Sequence, residues 1–407
     1  MRVVVVGAGF AGLAAADALV RGGAEVVVFE ARERVGGRVL SERLPNGAVV
    51  ERGAEFVLPG HDLLRTTAER LGLRLFEKGT THGNREPRGG PPVPPDALLD
   101  GYATVREAAS SGALRGPGAG SVADALDAMP LHPGAREAIR ARIEVSTAYP
   151  ADDQDAAVLA ESGTSVGDYP TWSVAGGNQR IATSLADGLG GGVHTAAPVE
   201  RIAWSRHGAR VTAAGSELDA EAVIVAVHAS VIGRIAFDPP LPGETGRALA
   251  AVRYGQAAKL FLPLAQPVPP SATLSVPGRF WTFTQLDPDG MPLAVAGSFA
   301  GTPAALARLG VAEGPDRWTE AVRALRPDLP FAPGAAPLLA TWSDDPWATA
   351  GYSARSRSSP MHDAVLAAPV GPLFFAGEHT AGAWHALMEG ALRSGERAAA
   401  EVLVGGR

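Results

Sequence analysis

The apolar positions at the start of the chain change their spacing twice within 30 residues. Residues 2–6 (RVVVV) form a continuous apolar run, residues 10–21 have helical spacing, and residues 25–30 (EVVVFE) form a second apolar run. Short runs rich in β-branched residues predict buried strands, and the 3.6-residue spacing predicts a helix between them. We therefore expect a strand–helix–strand unit.

Further along the chain, the pattern predicts mixed helices and strands. Residues 60–75 and 178–189 have helical spacing, whereas residues 79–100 are rich in Gly, Pro and polar residues and predict a loop. Short apolar strands return at 193–228 and 372–376. We expect these returning strands to join the N-terminal sheet, so that the first domain is built from separate pieces of the chain.

A glycine-rich turn, GAGFAG, connects the first strand to the helix. Gly7 suits the tight turn, Gly9 allows the backbone to approach a pyrophosphate, and Gly12 allows the helix to pack on the strand. Glu30 ends the second strand, where a ribose hydroxyl would need an acceptor. Together these features predict a dinucleotide-binding unit.

Composition and charge exclude several classes of function. The 407-residue chain has a net charge of −7 and no basic stripe, so we expect no nucleic-acid partner. It has no cysteine, which excludes disulfides, thiolate metal sites and a flavin anchored through cysteine. No apolar run is long enough to span a membrane, and MRVVVVGAGF differs from a signal peptide. We expect a cytoplasmic protein without membrane association.

Five segments resemble the flavin-dependent amine oxidase family. They are ARERVGGR (31–38), ERGAEF (51–56), SVAGGNQRIATSLADGL (173–189), the stretch ending in FDPPLP (237–242) and the C-terminal FFAGEHTAGAWHALMEGALRSGERAAAEVL. The resemblance implies an α/β fold, with a discontinuous Rossmann-type FAD-binding domain and an inserted α+β substrate domain. We expect the FAD-binding domain at 1–58, 174–256 and 350–407, and the substrate domain at 59–173 and 257–349.

The resemblance also implies which residues hold the cofactor. The expected FAD-binding residues are Gly7, Gly9, Gly12, Glu30, Arg32, Gly37, Arg38, Val199, Gly377, Glu378 and Met388. Glu30 would hold the adenosine ribose, Arg38 the diphosphate, and the Met388 backbone the flavin pyrimidine ring. The helix that begins at Met388 would favour negative charge on that ring.

Lys259 is one of only two lysines among the 36 basic residues, and it lies inside the apolar segment YGQAAKLFLPL. A buried ammonium is costly unless it is paired, so its position requires an explanation. By the resemblance, the spacing from Gly255 to Lys259 matches a segment whose lysine contacts flavin N5 through water. Glu55 is a second candidate, either as an ammonium anchor and proton acceptor or as a structural hydrogen-bonding group.

The substrate wall departs from part of the family. Monoamine oxidases have two tyrosines facing the flavin, whereas this chain has Tyr352 at the first position and Leu387 at the second. Gly351 stands where covalent members have cysteine, so we expect non-covalent FAD. We expect a substrate bulkier than a simple arylalkylamine, with Phe56, Trp347 and Trp384 as further walls and core packing as the alternative for Trp347.

The resemblance implies an FAD-dependent amine oxidase acting on a small amine and O2. Three alternatives remain open at this point: a C–C dehydrogenase of the protoporphyrinogen oxidase type, a nicotinamide dehydrogenase, and a flavin-binding protein without turnover. The sequence contains no clustered carboxylates or His pairs at metal-ligand spacing, so we expect no metal. It does not indicate an oligomeric state.

Overall fold

The computed structural model describes residues 1–81, 83, 85–116, 118–161 and 169–405. Its β-strands are β1 (Arg2–Val6), β2 (Glu25–Phe29), β3 (Ser41–Arg43), β4 (Val49–Glu51), β5 (Leu75–Thr81), β6 (Glu86–Arg88), β7 (Pro170–Val174), β8 (Val193–His194), β9 (Val199–Ser205), β10 (Gly208–Ala213), β11 (Ser216–Ala220), β12 (Ala222–Val225), β13 (Ala236–Asp238), β14 (Arg253–Tyr254), β15 (Ala257–Pro263), β16 (Ser271–Ser275), β17 (Phe280–Thr284), β18 (Val295–Gly301), β19 (Leu338–Thr341), β20 (Ser353–Ala354) and β21 (Leu373–Phe375).

Helices alternate with these strands along the chain. The α-helices are α1 (Phe10–Arg21), α2 (Asp62–Arg70), α3 (Pro95–Ser110), α4 (Val122–Ala128), α5 (Pro133–Thr147), α6 (Gln179–Asp187), α7 (Gly243–Ala251), α8 (Pro303–Arg308), α9 (Asp316–Leu325), α10 (Asp363–Ala367) and α11 (Met388–Gly405). Short 3₁₀ helices occupy Ala156–Ala160, Ala229–Arg234, Glu378–Thr380 and Gly382–Trp384. Within the described ranges, no helix is long and apolar enough to cross a membrane.

A five-stranded parallel sheet with the order β21-β12-β1-β2-β8 contains the predicted N-terminal unit. The strands at 193–194, 222–225 and 373–375 join it, as the returning apolar runs predicted. The expectation was wrong for residues 199–220, where β9, β10 and β11 pair antiparallel in a separate sheet that includes β13. The alternating burial of β10 fits this pairing, because antiparallel strands can cover the core with one face only.

Both faces of the parallel sheet are covered. On one face α1 and α11 pack together, and their backbones approach so closely that a Cβ on Gly395 would lie 2.1 Å from the carbonyl oxygen of Ala11. On the other face, alternate residues of β1 such as Val4 pack with Ile202 and Val211 of the separate sheet. A sheet buried on both faces requires the continuous apolar runs seen in the sequence.

The structure also contains a larger, six-stranded mixed sheet with the order β19-β15-β18-β17-β16-β6. The predicted loop at 79–100 was wrong in part: β5 extends to Thr81, β6 pairs with β16, and α3 begins at Pro95. Residues 82 and 84 of that stretch lie outside the described residues. The partners of β5 and β6 come from distant parts of the chain, so tertiary pairing overrides the local Gly and Pro content.

Candidate active site

The glycine turn after β1 leaves no room for side chains. Gly7 has φ +104°, and a Cβ on Gly12 would lie 1.9 Å from the Gly7 carbonyl oxygen. Gly9 precedes α1, and no side chain caps that helix. The first N–H groups of a helix lack partners within it and carry partial positive charge, so this end suits a phosphate. Gly7 and Gly9 line a large cavity, whereas Gly12 acts through close packing.

A second glycine loop meets the first at the cavity wall. The backbone of Gly36 pairs with that of Gly9, and a Cβ on Gly37 would lie 3.3 Å from the Gly9 Cα. Glu30, at the end of β2, is only 3% exposed and accepts a hydrogen bond from the Ala8 N–H at 2.7 Å. Its carboxylate is therefore held in place beside the two backbone loops.

Two predicted cofactor arginines carry carboxylate partners within the protein. Arg32 pairs with Asp345 at 2.6 Å, and Arg38 pairs with Glu378 at 2.9 Å while also donating to the Gly351 carbonyl. Burial alone would raise the pKa of Glu378, but the charge of Arg38 and the surrounding hydrogen bonds lower it to about 2. The Glu378 carboxylate is therefore ionised at neutral pH, and both arginines line the cavity.

The remaining predicted cofactor residues lie on the same wall. Val199 begins β9, Gly377 follows β21, and Met388 is the first residue of α11. The cavity thus combines bare backbone at a helix N-terminus, a fixed carboxylate at the end of β2, an arginine and a second helix N-terminus. This set fits FAD, because the glycine loops and Arg38 can hold the diphosphate and Glu30 the ribose.

Lys259 does not stand alone in its strand. Its Nζ donates to Glu55 Oε2 at 2.6 Å and to the Glu51 carbonyl at 2.9 Å, while Lys78 Nζ donates to Glu55 Oε1 at 2.7 Å. All three charged side chains are at most 8% exposed. Burial would raise the pKa of Glu55, but the two ammonium groups lower it to about 2. The chain's two lysines therefore share one carboxylate beside the cavity wall.

Burial also lowers the pKa of Lys259, and the Glu55 charge works in the opposite direction. Glu51, which is 2% exposed, has its pKa raised to about 7 by burial, even though Lys78 and the Asn178 and Ser41 hydrogen bonds favour its ionised form. Its oxygens accept from the Asn178 N–H at 2.7 Å and the Ser41 hydroxyl at 2.7 Å. Glu51 is thus a carboxyl that changes charge near neutral pH beside the Lys259 site.

The predicted substrate wall is assembled only in part. Tyr352 lines the cavity, and its hydroxyl donates to the Ser146 carbonyl at 2.7 Å. Leu387 and Trp347 also line it. Trp384 does not: its ring packs between His61 and the Arg393 guanidinium, away from the cavity lining. Its expected place in the wall is therefore wrong, because the short 3₁₀ helix before α11 turns its ring aside.

An aromatic group that the sequence did not single out completes the wall with Phe56. The rings of Trp281 and Phe283, on β17, lie 4.3 Å apart, and Phe56 lies 5.8 Å from Trp281. All three line the cavity. The alternating spacing WTFT in residues 281–284 was the available signal, but only strand orientation shows which face meets the cavity.

Arg85 was also missed. It lies just before β6, is 4% exposed and lines the cavity, with its guanidinium 3.9 Å from the Trp281 ring centroid. Its Nη1 donates to the Ser146 hydroxyl at 3.3 Å. The sequence around it predicts a polar loop and gave no signal of burial.

In the part of the chain that the structure describes, no group of three or more acidic or His side chains could hold a metal ion.

The two loops at Gly7–Gly12 and Gly36–Gly37 together form a glycine cradle. The parallel sheet, this cradle and the cavity define a flavoprotein oxidoreductase. The family model for flavin-containing amine oxidoreductases matches residues 10–403. The AofH protein of Mycobacterium tuberculosis, provisionally named a flavin-containing monoamine oxidase, is 31% identical over 98% of this chain and 96% of its own length. Human flavin-containing amine oxidase B is 27% identical over 98% of this chain and 86% of its own.

Solved structures share the fold. A putrescine oxidase bound to putrescine has a TM-score of 0.85 at 24% identity, covering 99% of both chains. Cyclohexylamine oxidase from Brevibacterium oxydans has a TM-score of 0.84 at 22% identity, also covering 99% of both. The chain belongs to the flavin-containing amine oxidase family, and it is an oxidoreductase that acts on amines. The family resemblance and the α/β fold predicted from sequence are confirmed.

Proposed function

We propose that the chain oxidises a small amine bulkier than a simple arylalkylamine, using non-covalently bound FAD and O2. The observation that carries the proposal is one cavity that runs from the glycine cradle, past Arg38 and Glu378, to Lys259 and Tyr352. When bound, FAD would supply the redox chemistry, which is the two-electron oxidation of the amine to an imine at the carbon next to nitrogen, and O2 would be reduced to hydrogen peroxide by these two electrons and two protons.

The protein's part is orientation and electrostatics. Tyr352 offers an aromatic ring fixed by its hydrogen bond to Ser146, and Leu387 leaves more room than a second ring would. Lys259 places a buried positive charge on the wall, where it stabilises negative charge that develops during reduction. Glu55 is already bonded to both lysines, so we assign it a positioning role through them instead of proton acceptance.

Non-covalent binding is supported at Gly351. A Cβ there would lie 3.0 Å from the Gly255 carbonyl oxygen, and the chain has no cysteine. We propose a cytoplasmic location as well, because no apolar run in the sequence is long enough to span a membrane. The names of related putrescine and cyclohexylamine oxidases are consistent with an amine substrate.

The decisive experiment is anaerobic mixing of the purified holoprotein with a panel of amines, followed by loss of the flavin's visible absorbance. We expect bleaching by at least one amine, with a rate that rises with pH as the bound ammonium loses its proton, because only the neutral amine has a free lone pair. Bleaching by a C–C substrate with none by any amine would instead favour the dehydrogenase alternative. Denaturation should release the flavin from the protein.

A further inference from the structure

Arg85 is a buried cation on the cavity wall without a carboxylate partner among the described residues. Five arginines line the cavity. Arg32, Arg38 and Arg52 each pair with an acidic side chain, and Arg234 is exposed to solvent. Arg85 is 4% exposed, and none of the described Asp or Glu side chains forms an ion pair with it.

The contacts that Arg85 does make satisfy it only in part. One face of its guanidinium lies over Trp281, and one nitrogen donates to Ser146, but the buried Nε has no hydrogen-bond partner among the described residues. A buried charge with unmade hydrogen bonds is costly. Burial and the neighbouring charge of Arg142 lower the pKa of Arg85 to about 9, so it still carries its charge at neutral pH. The site therefore favours an anion.

Arg85 lies on the substrate side of the cavity. It precedes β6 and stacks on Trp281 of β17, both in the six-stranded sheet, whereas the glycine cradle belongs to the parallel sheet. Ser146 joins it to the amine wall: the Ser146 hydroxyl accepts from Arg85, and its carbonyl accepts from Tyr352. Ser146 would thus connect a group bound at Arg85 to the Tyr352 hydroxyl through hydrogen bonds.

We propose that Arg85 binds the carboxylate of the substrate, so that the substrate is an amine carrying a carboxylate group, an amino acid in chemical class. The planar guanidinium fork matches a carboxylate with two parallel hydrogen bonds. The aromatic rings of Phe56, Trp281 and Phe283 would hold an apolar side chain. This inference rests on the proposed amine oxidase function and names its substrate class.

The test compares each amino acid, as both enantiomers, with the amine that lacks only its carboxylate, for example phenylalanine and phenethylamine. Rapid anaerobic flavin reduction gives the rate and apparent affinity for each. We expect the wild type to prefer an amino acid. Arg85→Met should lower the ratio of the flavin-reduction rate constant to the apparent Kd by about 30-fold or more for the amino acid, and by less than about threefold for the matched amine. Arg85→Lys should retain part of the preference, since it keeps the charge but not the fork.

Arg65→Met is the matched control. Arg65 also stacks on a tryptophan, 4.2 Å from the Trp172 centroid, but it does not line the cavity. We expect it to leave the amino acid preference unchanged. Wild-type flavin reduction by the amine but not by any amino acid, or an equal loss for both in Arg85→Met, would overturn the inference while leaving the amine oxidase function intact.

A second readout needs no turnover. Benzoate, a carboxylate without an amine, should shift the flavin spectrum of the wild type and of Arg65→Met, with affinity at least tenfold weaker in Arg85→Met. If neither amines nor amino acids reduce the flavin, the proposed function fails, and the benzoate titration alone then decides whether Arg85 binds carboxylates. Equal benzoate affinity in wild type and Arg85→Met would overturn the inference.

Discussion

The ammonium of Lys259 lies 2.6 Å from a carboxylate oxygen of Glu55, and both side chains are buried at the cavity wall. Lys78 occupies the other oxygen, so one negative charge is shared by two positive ones. A lone lysine would have two roles: it would hold the loop that carries Glu55, and it would present positive charge to the cavity. With two lysines, Lys78 can hold the loop while Lys259, which lines the cavity, presents the charge. Variants at the three positions can distinguish those roles.

Lys259→Met should slow reoxidation of the reduced flavin by O2 by about tenfold or more, because it removes a fixed positive charge where negative charge develops. FAD content should change little, since Arg38 and the glycine cradle remain. Stopped-flow reoxidation and flavin-to-protein ratio measure the two effects. Lys78→Met is the matched control, as it removes the other cation from the same carboxylate and should have the smaller kinetic effect. Lost FAD with normal reoxidation would assign Lys259 a structural role instead.

Glu55→Gln should make reoxidation depend on pH. Burial lowers the pKa of Lys259, and Glu55 is the main group that raises it again, with Lys78 lowering it and Glu51 raising it. Without the Glu55 charge, the pKa of Lys259 falls further, so the ammonium is lost as pH rises through that new value. We expect reoxidation to slow as pH rises in the variant and to change less in the wild type. Parallel profiles for both proteins would contradict this.

The Lys259 cluster also shows how far sequence reasoning reaches. The resemblance of the segment Gly255–Lys259 to the family implied a role for this lysine, and its apolar flanks indicated burial. Its partners could not be predicted, because Glu55 and Lys78 are more than 180 residues away and meet it only through tertiary packing. Arg85 was missed for the same reason: a polar, Gly- and Pro-rich stretch gives no local sign that Arg85 is buried.

The fold itself was predictable where local pattern and tertiary context agree. The apolar runs of β1 and β12 are buried on both faces, which is typical of parallel strands. β5 and β6 were not predicted, since their pairing with β7 and β16 depends on residues far away in the chain. Trp384 lies within a recognised motif, yet the turn after Gly382 directs its ring away from the cavity.

Tyr352 should act mainly through its ring. Tyr352→Phe removes only the hydrogen bond to the Ser146 carbonyl. The net free energy of such a hydrogen bond is about 1 kcal/mol, so we expect less than about tenfold loss in the rate of flavin reduction. Tyr352→Leu removes the ring as well and should cost considerably more. Anaerobic flavin reduction with the best amine measures both. Equal losses in the two variants would show that the hydroxyl, not the ring, matters.

Leu387→Tyr should hurt turnover of the bulkiest substrates most. Leu387 lines the cavity, and a phenol there would narrow the space beside Tyr352. We expect kcat/KM to fall in proportion to substrate size across a graded series of amines, with small amines least affected. Leu387→Phe serves as the control, because it adds the ring without the hydroxyl. Unchanged or faster turnover across the series would contradict a substrate bulkier than an arylalkylamine.

Glu51 should make the stability of the protein fall as pH rises from about 4.5 to about 7. Its pKa is raised by burial from 4.5 to about 7, so the folded state binds a proton that the unfolded state releases between those values. The contribution of the protonated carboxyl is fully present below about pH 4.5 and is lost by about pH 7, a difference of about 3 kcal/mol.

Glu51→Gln is neutral at all pH values and can keep both hydrogen bonds, accepting from the Asn178 N–H and donating to the Ser41 hydroxyl. Thermal unfolding should therefore give nearly equal Tm values for variant and wild type at pH 5, with the variant a few degrees higher at pH 8. Glu217→Gln, at an exposed carboxyl on β11, is the control and should show no such divergence. A constant difference between Glu51→Gln and wild type over this range would show that Glu51 does not change its charge near neutral pH.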